Sequence, residues 1–255
     1  MRIDRFTHLL EVYETLGPGD LFVGQVPATP LKEALLADLA SRGVRLLPSV
    51  TAQVIHGSKC AQAFLLERWM APHTRVAHRR KVLLDTLGDY KRLGITAAVT
   101  KHPHLHCGHG VRLWDNLETL YSCMSLDERH YPFVLQPFET VAADVRVIMV
   151  GDFLEAYART NPDGFRKNLA VGGSSRPHTL DGGQHEICRQ VMDRAQMPYA
   201  HIDLMITAAG ETYLSEISLN GGILGARVAR PDLERMKRER LEALAQNLSG
   251  DGTFR

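Results

Sequence analysis

The segment KHPHLHCGHGV, residues 101–111, contains four histidines and a cysteine, which are possible metal ligands. These residues are His102, His104, His106, Cys107 and His109. Neutral imidazoles and a thiolate are ligands for zinc or nickel. A closed tetrahedral site normally draws pairs of ligands from two separated elements, and the sequence offers no second pair. We therefore expect these histidines to be solvated or locally hydrogen-bonded loop residues, with a His-rich metal-binding protein as a distant alternative.

The residues around the histidines indicate a different chemistry. A β-rich run, ITAAVT, leads into Lys101, and Gly108-His109-Gly110 precedes the strand-like VRLW. Glycines let backbone N–H groups approach phosphate oxygens, and a lysine adds a positive charge. The segment therefore also fits a nucleotide-phosphate loop, in which imidazoles donate to phosphate or carboxylate groups. Hairpins produce this spacing by chance, so the pattern needs support from the rest of the chain.

Two further patterns bring charged side chains together on strands. In DVRVIMVGD, Asp144 and Arg146 are two residues apart, so they point the same way in a strand. An ion pair between them and a role in substrate binding are both open. Asp203 and Glu216 lie on two strand-like segments joined by the hairpin turn TAAGET. An opposed surface pair of carboxylates would repel, whereas two converging carboxylates suit Mg²⁺.

The composition limits the class of protein. With 30 Lys+Arg, 29 Asp+Glu and a net charge of +1, the 255-residue chain has no bias towards nucleic acid or an anionic membrane. No apolar run approaches the ~20 residues of a membrane span, and the start, MRIDRFTHLLEVYETL, is too charged for a secretory signal. The four cysteines form no C-x-x-C pair, so we expect reduced thiols in a cytoplasmic protein.

The elements that must position these residues mix helices with strands. Apolar spacing near 3.6 predicts helices in DRFTHLLEVYETL, PLKEALLADLASRG, SKCAQAFLLERWM, RRKVLLDTLGDYKRLG, NLETLYSCMSL, GQHEICRQVMDRAQM and PDLERMKRERLEALAQNL. Strands are predicted in DLFVGQV, VRLLPS, HTRVA, ITAAVTK, GVRLW, PFVLQPF, ADVRVIMVGD, FLEAYART, HIDLMITAAG and ETYLSEISL. The first two strands flank a helix, which implies a small parallel sheet in an α+β protein. The tail SGDGTFR is expected to be disordered.

Five segments follow one another in an order that resembles a known family: FVLQPF, DVRVIMVGD, GFRKNLAVGG, HIDLMI and YLSEISLNGG. Together they resemble the ATP-grasp superfamily, in the branch of bacterial glutathione synthetases and RimK-type ribosomal-protein glutamate ligases, from roughly Gln53 to Ile223. The resemblance implies two α+β subdomains that clasp ATP. It divides the chain into a short N-terminal α/β subdomain (1–57), an ATP-grasp N-terminal and lid subdomain (58–138), a catalytic subdomain (139–248) and the tail (249–255).

The resemblance implies two lysines that reach the ATP phosphates. HGSKCAQAFLL is similar to the family's D-K step, with Lys59 in that role and Ser58 in place of the aspartate. The alternative is a solvated lysine in the first turn of a helix. VTKHPHLHCGHGV is similar to the second lysine and the glycine-rich lid, which assigns Lys101, Gly108 and Gly110 to the nucleotide. No G-x-x-x-x-G-K-[ST] loop and no G-x-S-x-G elbow offers a competing assignment.

The resemblance also implies the remaining contacts of the site. FVLQPF resembles the hinge segment against which adenine lies, so Gln136, Pro137 and Phe138 are the adenine candidates, and Pro137 offers only its carbonyl. Asp144 is assigned to cofactor binding and Arg146 to catalysis. GFRKNLAVGGSSRP resembles the family's R-x-N-x-x-x-G-G segment, in which Arg166 would neutralise the transferring phosphate and Asn168 would position phosphate, metal or substrate. Gly172 and Gly173 fit an anion nest, and Arg176 is a second candidate anion contact.

The metal site departs from the family pattern. Asp203 and Glu216 are implied as ligands of Mg²⁺, or of Mn²⁺ in its place. Relatives read E-[IV]-N after the second carboxylate, whereas this chain reads Glu216-Ile217-Ser218, with Asn220 two residues later. Either Ser218 substitutes for the amide, Asn220 reaches the metal through an altered turn, or a second metal binds weakly.

The implied activity is that of an Mg-ATP-dependent carboxylate–amine ligase. ATP would phosphorylate a substrate carboxylate, and an amine would attack the acylphosphate to give an amide or peptide-like bond. The carboxylate and amine could belong to small molecules, peptides or a carrier protein. Because the N-terminal subdomain is short, self-association or a partner subunit could complete the acceptor site. The alternative is a nucleotide-binding regulator that does not ligate, which Ser218 favours.

Overall fold

The computed structural model describes residues 1–105, 109–160 and 174–250. Within them the chain forms three β-sheets with helices packed against them, so the expected α+β class is confirmed. None of the helices in these ranges is long and apolar enough to cross a membrane.

The first sheet is the small parallel sheet that the sequence predicts. Its strands pair in the order β1 (Arg2–Ile3), β2 (Leu21–Val23) and β3 (Arg45–Leu47). Helices α1 (Phe6–Glu11) and α2 (Lys32–Ser41) connect them, with a 3₁₀ turn at Tyr13–Thr15. Apolar side chains of the helices and strands bury one another in a compact cluster: Ile3, Leu9, Phe22, Leu36 and Leu39.

Two consecutive helices follow, and the first was not predicted. Helix α3 (Val50–Gly57) begins where the Ser49 hydroxyl accepts from the Ala52 N–H, and α4 (Lys59–Leu65) begins where the Ser58 hydroxyl accepts from the Ala61 N–H. Helix α4 agrees with the helix predicted in SKCAQAFLLERWM. The β-branched residues of TAQVIHG have weak helix propensity, which hides α3 in the sequence. Tertiary burial of its apolar face stabilises it nonetheless, since Ala52 and Ile55 are fully buried.

The second sheet is antiparallel and has the strand order β4-β7-β5-β6. Its strands are β4 (Arg75–Ala77), β5 (Ala98–Lys101), β6 (Val111–Trp114) and β7 (Phe133–Pro137). Helices α5 (Arg80–Arg92) and α6 (Leu117–Met124) pack on it around the buried residues Leu83, Tyr90, Trp114 and Phe133. All six of these elements were predicted. This second sheet presents Lys101 at the end of β5.

The third sheet is the largest and has the order β10-β9-β8-β11-β12, with antiparallel neighbours throughout. The strands are β8 (Val141–Val150), β9 (Phe153–Thr160), β10 (Ser174–Pro177), β11 (Tyr199–Thr207) and β12 (Thr212–Ser218). One face is apolar and packs on helix α7 (Gly182–Ala195), through residues such as Val145, Val147, Ile202 and Leu204. The other face carries charged side chains at alternate positions, and we call it the polar face.

The last helix, α8 (Arg230–Gly250), ends two residues inside the segment 249–255 that was expected to be disordered. Residues 251–255 lie outside the described part of the chain. Near its C-terminal end α8 returns to the first sheet, where Ala245 packs against Leu21 and Val23. Arg2 forms an ion pair with Glu242 at the same contact. Helix α8 thereby joins the third sheet to the first.

Candidate functional site

The polar face of the third sheet places the predicted metal and catalytic residues on adjacent strands. Asp203 of β11 lies opposite Glu216 of β12 on one side and opposite Arg146 of β8 on the other. Paired residues in an antiparallel sheet point to the same face, so these three side chains share it. The predicted convergence of Asp203 and Glu216 is therefore present, and the hairpin between them is formed.

Asp203 is held by two arginines. Arg146 grips it bidentately, with Nε 2.7 Å from Oδ1 and Nη2 2.7 Å from Oδ2. Arg159 of β9 lies 3.1 Å from Oδ2 of Asp203 and donates to Asp144 at 2.7 Å. Of the two alternatives that the sequence left open for Asp144 and Arg146, the direct ion pair is not formed among the described residues, because each side chain pairs with a residue of a neighbouring strand. A guanidinium fork suits a carboxylate in this way, and it also suits phosphate.

Burial and charge shift these carboxylates in opposite directions. Burial raises the pKa of Asp144 to about 6, and Arg159 offsets only part of that effect. Burial also opposes ionisation of Asp203, but Arg146 and Arg159 together hold the pKa of Asp203 below its usual range. Asp203 is therefore the fixed anion of the network. Asp144 is the carboxylate that gains a proton first as the pH falls.

Lys59 is buried, which excludes the solvated lysine that the sequence left open. It is 7% exposed, and its Nζ donates to the Leu105 carbonyl at 2.8 Å. The same nitrogen is 3.3 Å from Oε1 of Glu216, whose side chain is 34% exposed. Lys59 thus reaches from α4 to the polar face of the third sheet.

Lys101 approaches the same carboxylate from the second sheet. Its Nζ donates to the Ser215 carbonyl at 3.4 Å, beside Glu216 in β12. Burial lowers the pKa of Lys101, and the neighbouring Lys59 lowers it further, while Glu216 acts in the opposite direction. Two lysines from different elements therefore meet at one strand, although like charges repel. An anionic ligand bound there would relieve that repulsion.

The histidine segment folds back over Lys59. The His102 N–H donates to the Gly110 carbonyl at 2.8 Å, and the His104 imidazole donates to the Gly57 carbonyl at 2.9 Å. A Cβ at Gly110 would lie 2.7 Å from the Cβ atoms of His102 and Leu105, so the close approach requires glycine. His104 is thus locally hydrogen-bonded, as expected. Residues 106–108, which include His106 and Gly108, lie outside the described residues.

The predicted hinge lies at the end of β7. Gln136 and Pro137 are buried, and Phe138 is 39% exposed. The Phe138 N–H donates to the Ala97 carbonyl at 3.0 Å, which ties this end of β7 to the start of β5. Pro137 pairs with Ala98, the first residue of β5. Lys101 lies three residues further along β5, which is ~10 Å at the usual rise per residue of a strand. The hinge and Lys101 are therefore at opposite ends of one pair of strands.

The two residues proposed to replace the family's asparagine are engaged elsewhere. The Ser218 hydroxyl donates to the Asn220 carbonyl. The Asn220 side chain donates to Oε1 of Gln25 at 3.0 Å, which connects the loop after β12 to the first sheet. Asn220 therefore does not point an unpaired oxygen at Glu216.

The donor set is chemically suited to Mg²⁺. Asp203, Glu216 and Ser218 offer oxygen atoms, and Glu216 is accessible enough to exchange its contact with Lys59 for a cation. In the ranges that the structure describes, no three His, Cys, Asp or Glu side chains form a group that would hold a metal. Mg²⁺ is usually bound by one or two carboxylates plus substrate phosphates, so a site completed by nucleotide fits this arrangement.

Two residues of the polar face were not singled out in the sequence. Arg159 was missed because its partners, Asp144 and Asp203, lie on other strands, β8 and β11. Its alternation with Tyr157 in β9 was the available signal, since residues two apart in a strand point to the same face. His201 was missed because a lone histidine in an apolar strand gives no signal. Burial lowers the pKa of His201 to about 3, and Lys237 and Arg146 act in the same direction. Its imidazole is therefore neutral.

The segment predicted to contact the transferring phosphate lies mostly outside the described residues. This applies to Arg166, Asn168, Gly172 and Gly173. Arg176 is described, and it pairs with Ala158, which pairs in turn with Val145 of the apolar face. Arg176 thus lies on the face opposite Arg146, so the structure does not bring it together with the other site residues, and its anion contact stays a prediction.

Comparison with known proteins agrees with the resemblance. Residues 56–233 match the RimK-like ATP-grasp domain. The glutathione synthetase of Parasynechococcus marenigrum (strain WH8102) is 31% identical in a match that covers 60% of this chain and 50% of that protein. The chain thus spans about half the length of that relative.

Solved structures with the same fold include three ligases. D-cycloserine synthetase DcsG has a TM-score of 0.64 and 16% identity, covering 97% of this chain and 99% of its own. D-alanyl-alanine synthetase A from Vibrio cholerae O1 biovar eltor has a TM-score of 0.56 and 12% identity, in a match that covers 91% of this chain and 76% of that one. The macrocyclase MdnC from Microcystis aeruginosa MRC, bound with its precursor peptide MdnA, has a TM-score of 0.54 and 14% identity, covering 89% and 78%.

These structural neighbours share the ATP-grasp fold, and the domain match extends over well more than half of the chain. The family consists of ATP-dependent ligases that generally use ATP and Mg²⁺. The chain belongs to the RimK-like ATP-grasp family.

Proposed function

We propose that the protein is an Mg-ATP-dependent carboxylate–amine ligase that acts through an acylphosphate. One observation carries the proposal: Lys59 pairs with Glu216 and Lys101 donates to the adjacent Ser215 carbonyl, beside the Asp203–arginine network and between the second and third sheets. Arg146, Arg159 and Asp144 complete the cluster. It then contains four cationic side chains (Lys59, Lys101, Arg146 and Arg159) and three carboxylates (Asp144, Asp203 and Glu216). A cluster of this kind can bind a polyphosphate and a divalent cation together.

In this proposal the nucleotide lies along the second sheet. Adenine contacts the hinge at Gln136–Phe138, where the Phe138 ring is partly exposed. The phosphates extend towards Lys101 and Lys59, whose ammonium groups replace the lost hydration of the phosphate oxygens. Gly110 belongs to the loop that closes over them.

Asp203 and Glu216 are the residues that would hold the metal. A bound Mg²⁺ supplies positive charge to the phosphate oxygens during transfer. If Glu216 turned from Lys59 to hold the cation, the Lys59 ammonium would be free to donate to a phosphate oxygen. In the absence of ligands, the ion pair between Lys59 and Glu216 balances both charges.

Arg146 and Arg159 are positioned for the chemical step. The attacking substrate carboxylate and the acylphosphate that forms from it are both anions, which a guanidinium fork binds through two oxygens. The amine then attacks the acyl carbon, the C–N bond forms, the amine proton leaves and phosphate departs. The substrates are small-molecule, peptide or carrier-protein carboxylates and amines. Ligases bound to peptides among the structural neighbours support the inclusion of peptides.

The first test measures binding. Melting temperature is recorded with ATP alone, with Mg²⁺-ATP and with Zn²⁺ alone, for wild type, Lys101→Ala and the exposed control Lys91→Ala. A ligand at 100 times its dissociation constant stabilises the folded state by ~2.7 kcal/mol. Mg²⁺-ATP should stabilise wild type and Lys91→Ala, and Lys101→Ala should lose most of that effect. No response of wild type to Mg²⁺-ATP would refute the proposal.

The second test measures activation of the carboxylate. Hydroxylamine is added with Mg²⁺-ATP and a panel of amino acids and short peptides, because it traps an acylphosphate as a hydroxamate. ADP and hydroxamate should appear together with the correct carboxylate, and Glu216→Gln should abolish both. ADP release without hydroxamate would contradict the acylphosphate route.

A second candidate function is supported by Ser218. Its hydroxyl donates to the Asn220 carbonyl, and the Asn220 side-chain amide donates to Gln25. A protein with a weakened metal site could bind nucleotide as a regulator without ligating anything. In that case Mg²⁺-ATP would raise the melting temperature, but no carboxylate and amine would stimulate ADP formation.

A further inference from the structure

His201 is the buried residue of the polar face whose chemistry the ligase proposal does not use. Its side chain lies in the middle of the third sheet and is 3% exposed. Neither Nδ1 nor Nε2 has a hydrogen-bond partner among the described residues. Burying a polar group without a partner is costly, so an orphaned imidazole at a ligand site calls for an explanation.

The strand register places His201 beside the metal candidates. It lies directly opposite Ser218 across the β11–β12 pair, and the next pair on the same face is Asp203 opposite Glu216. Residues two apart in a strand share a face, so His201 and Asp203 are neighbours, as are Ser218 and Glu216. The imidazole thus stands across from the position where the family places an asparagine.

The loop after β12 holds the ring in place. A Cβ at Gly221 would lie 2.8 Å from Cγ and Nδ1 of His201, so only glycine lets the loop pass this close. The loop itself is anchored, because the Gly222 carbonyl accepts from Arg146 at 2.8 Å and Asn220 binds Gln25. The loop therefore packs closely against the imidazole, and both ring nitrogens lack hydrogen-bond partners in the described part of the chain.

We propose that His201 donates a ring nitrogen to the divalent cation of the nucleotide site, in place of the amide that Ser218 lacks. The inference rests on the proposed function and deepens it. Glu216 exchanges its ion pair with Lys59 for the cation, and phosphate oxygens supply the other ligands.

A nitrogen ligand changes the metal preference. Mg²⁺ prefers oxygen, whereas imidazole also suits first-row transition metals such as Mn²⁺ and Co²⁺. Loss of a ligand or of its supporting group typically changes metal affinity 10- to 100-fold. The protein should therefore favour Mn²⁺-nucleotide over Mg²⁺-nucleotide, and His201→Asn, which replaces nitrogen by an amide oxygen, should reduce that preference by about tenfold.

The deciding experiment is pulsed electron paramagnetic resonance of the protein with Mn²⁺ and ADP. Coordination by an imidazole couples the manganese to ¹⁴N, which appears in the echo modulation. The coupling should be present in wild type and in the control His185→Asn, whose histidine is exposed on α7. It should be absent in His201→Asn. Persistence of the coupling in His201→Asn would assign it to another histidine and overturn the inference.

Two results separate this inference from the ligase proposal. Mn²⁺-ADP bound to wild type without ¹⁴N coupling would overturn the role of His201 and leave the proposed function standing. Failure of wild type to bind nucleotide with any divalent cation would overturn both. The measurement on wild type requires no variant, so the inference stays testable if His201→Asn does not fold.

Discussion

At the scale of single residues, the site depends on one buried anion. Asp203 accepts from both arginines, and its side chain is 12% exposed. If the negative charge is removed, Arg146 and Arg159 remain buried with only Asp144 to balance them. Breaking a buried ion pair by removing one partner usually costs about 3 kcal/mol or more, because an uncompensated charge stays buried.

We therefore expect Asp203→Asn to lower the free energy of unfolding by about 3 kcal/mol, measured by urea denaturation. The matched control is Asp85→Asn, which removes a carboxylate from the exposed pair with Lys81. Exposed pairs contribute little, so the control should unfold at nearly the wild-type urea concentration. Equal stability of the two variants would show that the arginines do not need Asp203.

The sequence predicts some of these residues and hides others for a physical reason. Lys59, Lys101, Asp203 and Glu216 belong to recognisable motifs, and the structure brings them together. The partners of Arg146 and Arg159 depend on the register between strands that are far apart in sequence. No local pattern encodes that register, which is why the sequence could not identify Arg159 as the partner of Asp144.

At the scale of elements, glycines distinguish helix interiors from helix ends. Gly94 follows α5 with φ of +72°, and a Cβ there would meet no atom within 4 Å. Substitution by alanine is therefore opposed by backbone strain alone. Gly88 lies inside α5, where a Cβ would make only an ordinary contact of 3.7 Å with Arg92. There alanine should favour the helix.

The prediction is a pair of opposite effects. Gly94→Ala should destabilise the protein by ~1 kcal/mol, and Gly88→Ala should stabilise it by up to ~1 kcal/mol. Both are measured by thermal or urea unfolding with circular dichroism. A destabilising Gly88→Ala together with a neutral Gly94→Ala would contradict the boundary of α5.

Element prediction succeeded where periodicity was strong and failed where packing decides. The amphipathic pattern and the terminal Gly94 correctly predicted α5, and the strand patterns correctly predicted β8 and β9. Helix α3 was missed because its short, β-branched sequence forms a helix only when Ala52 and Ile55 are buried. The end of α8 was placed too early because its last turn carries no apolar pattern to distinguish it from the tail.

At the scale of the whole molecule, α8 connects two sheets that are at opposite ends of the chain. Its first part lies by the third sheet, where Leu233 is fully buried. Its last part contacts the first sheet through Ala245, and Arg45 donates to the Leu248 carbonyl at 2.7 Å. The first sheet has only three short strands, and this contact covers the face that carries Leu21 and Val23.

We expect Ala245→Asp to loosen the first sheet selectively. Ala245 is 1% exposed, so the new carboxylate would be buried against the apolar side chains of Leu21 and Val23. Amide hydrogen exchange should accelerate in β1–β3, while β5 and β7 of the second sheet keep their protection. The control Gln246→Asp places the same charge one residue later, at an exposed position. It should exchange like wild type, since its side chain does not enter the contact.

Uniform loss of protection in all three sheets would instead show that they unfold as one cooperative unit, and unchanged exchange in β1–β3 would show that α8 does not support the first sheet. Selective loosening would also weaken the Gln25–Asn220 contact, so the loop that covers His201 depends on the same long-range packing.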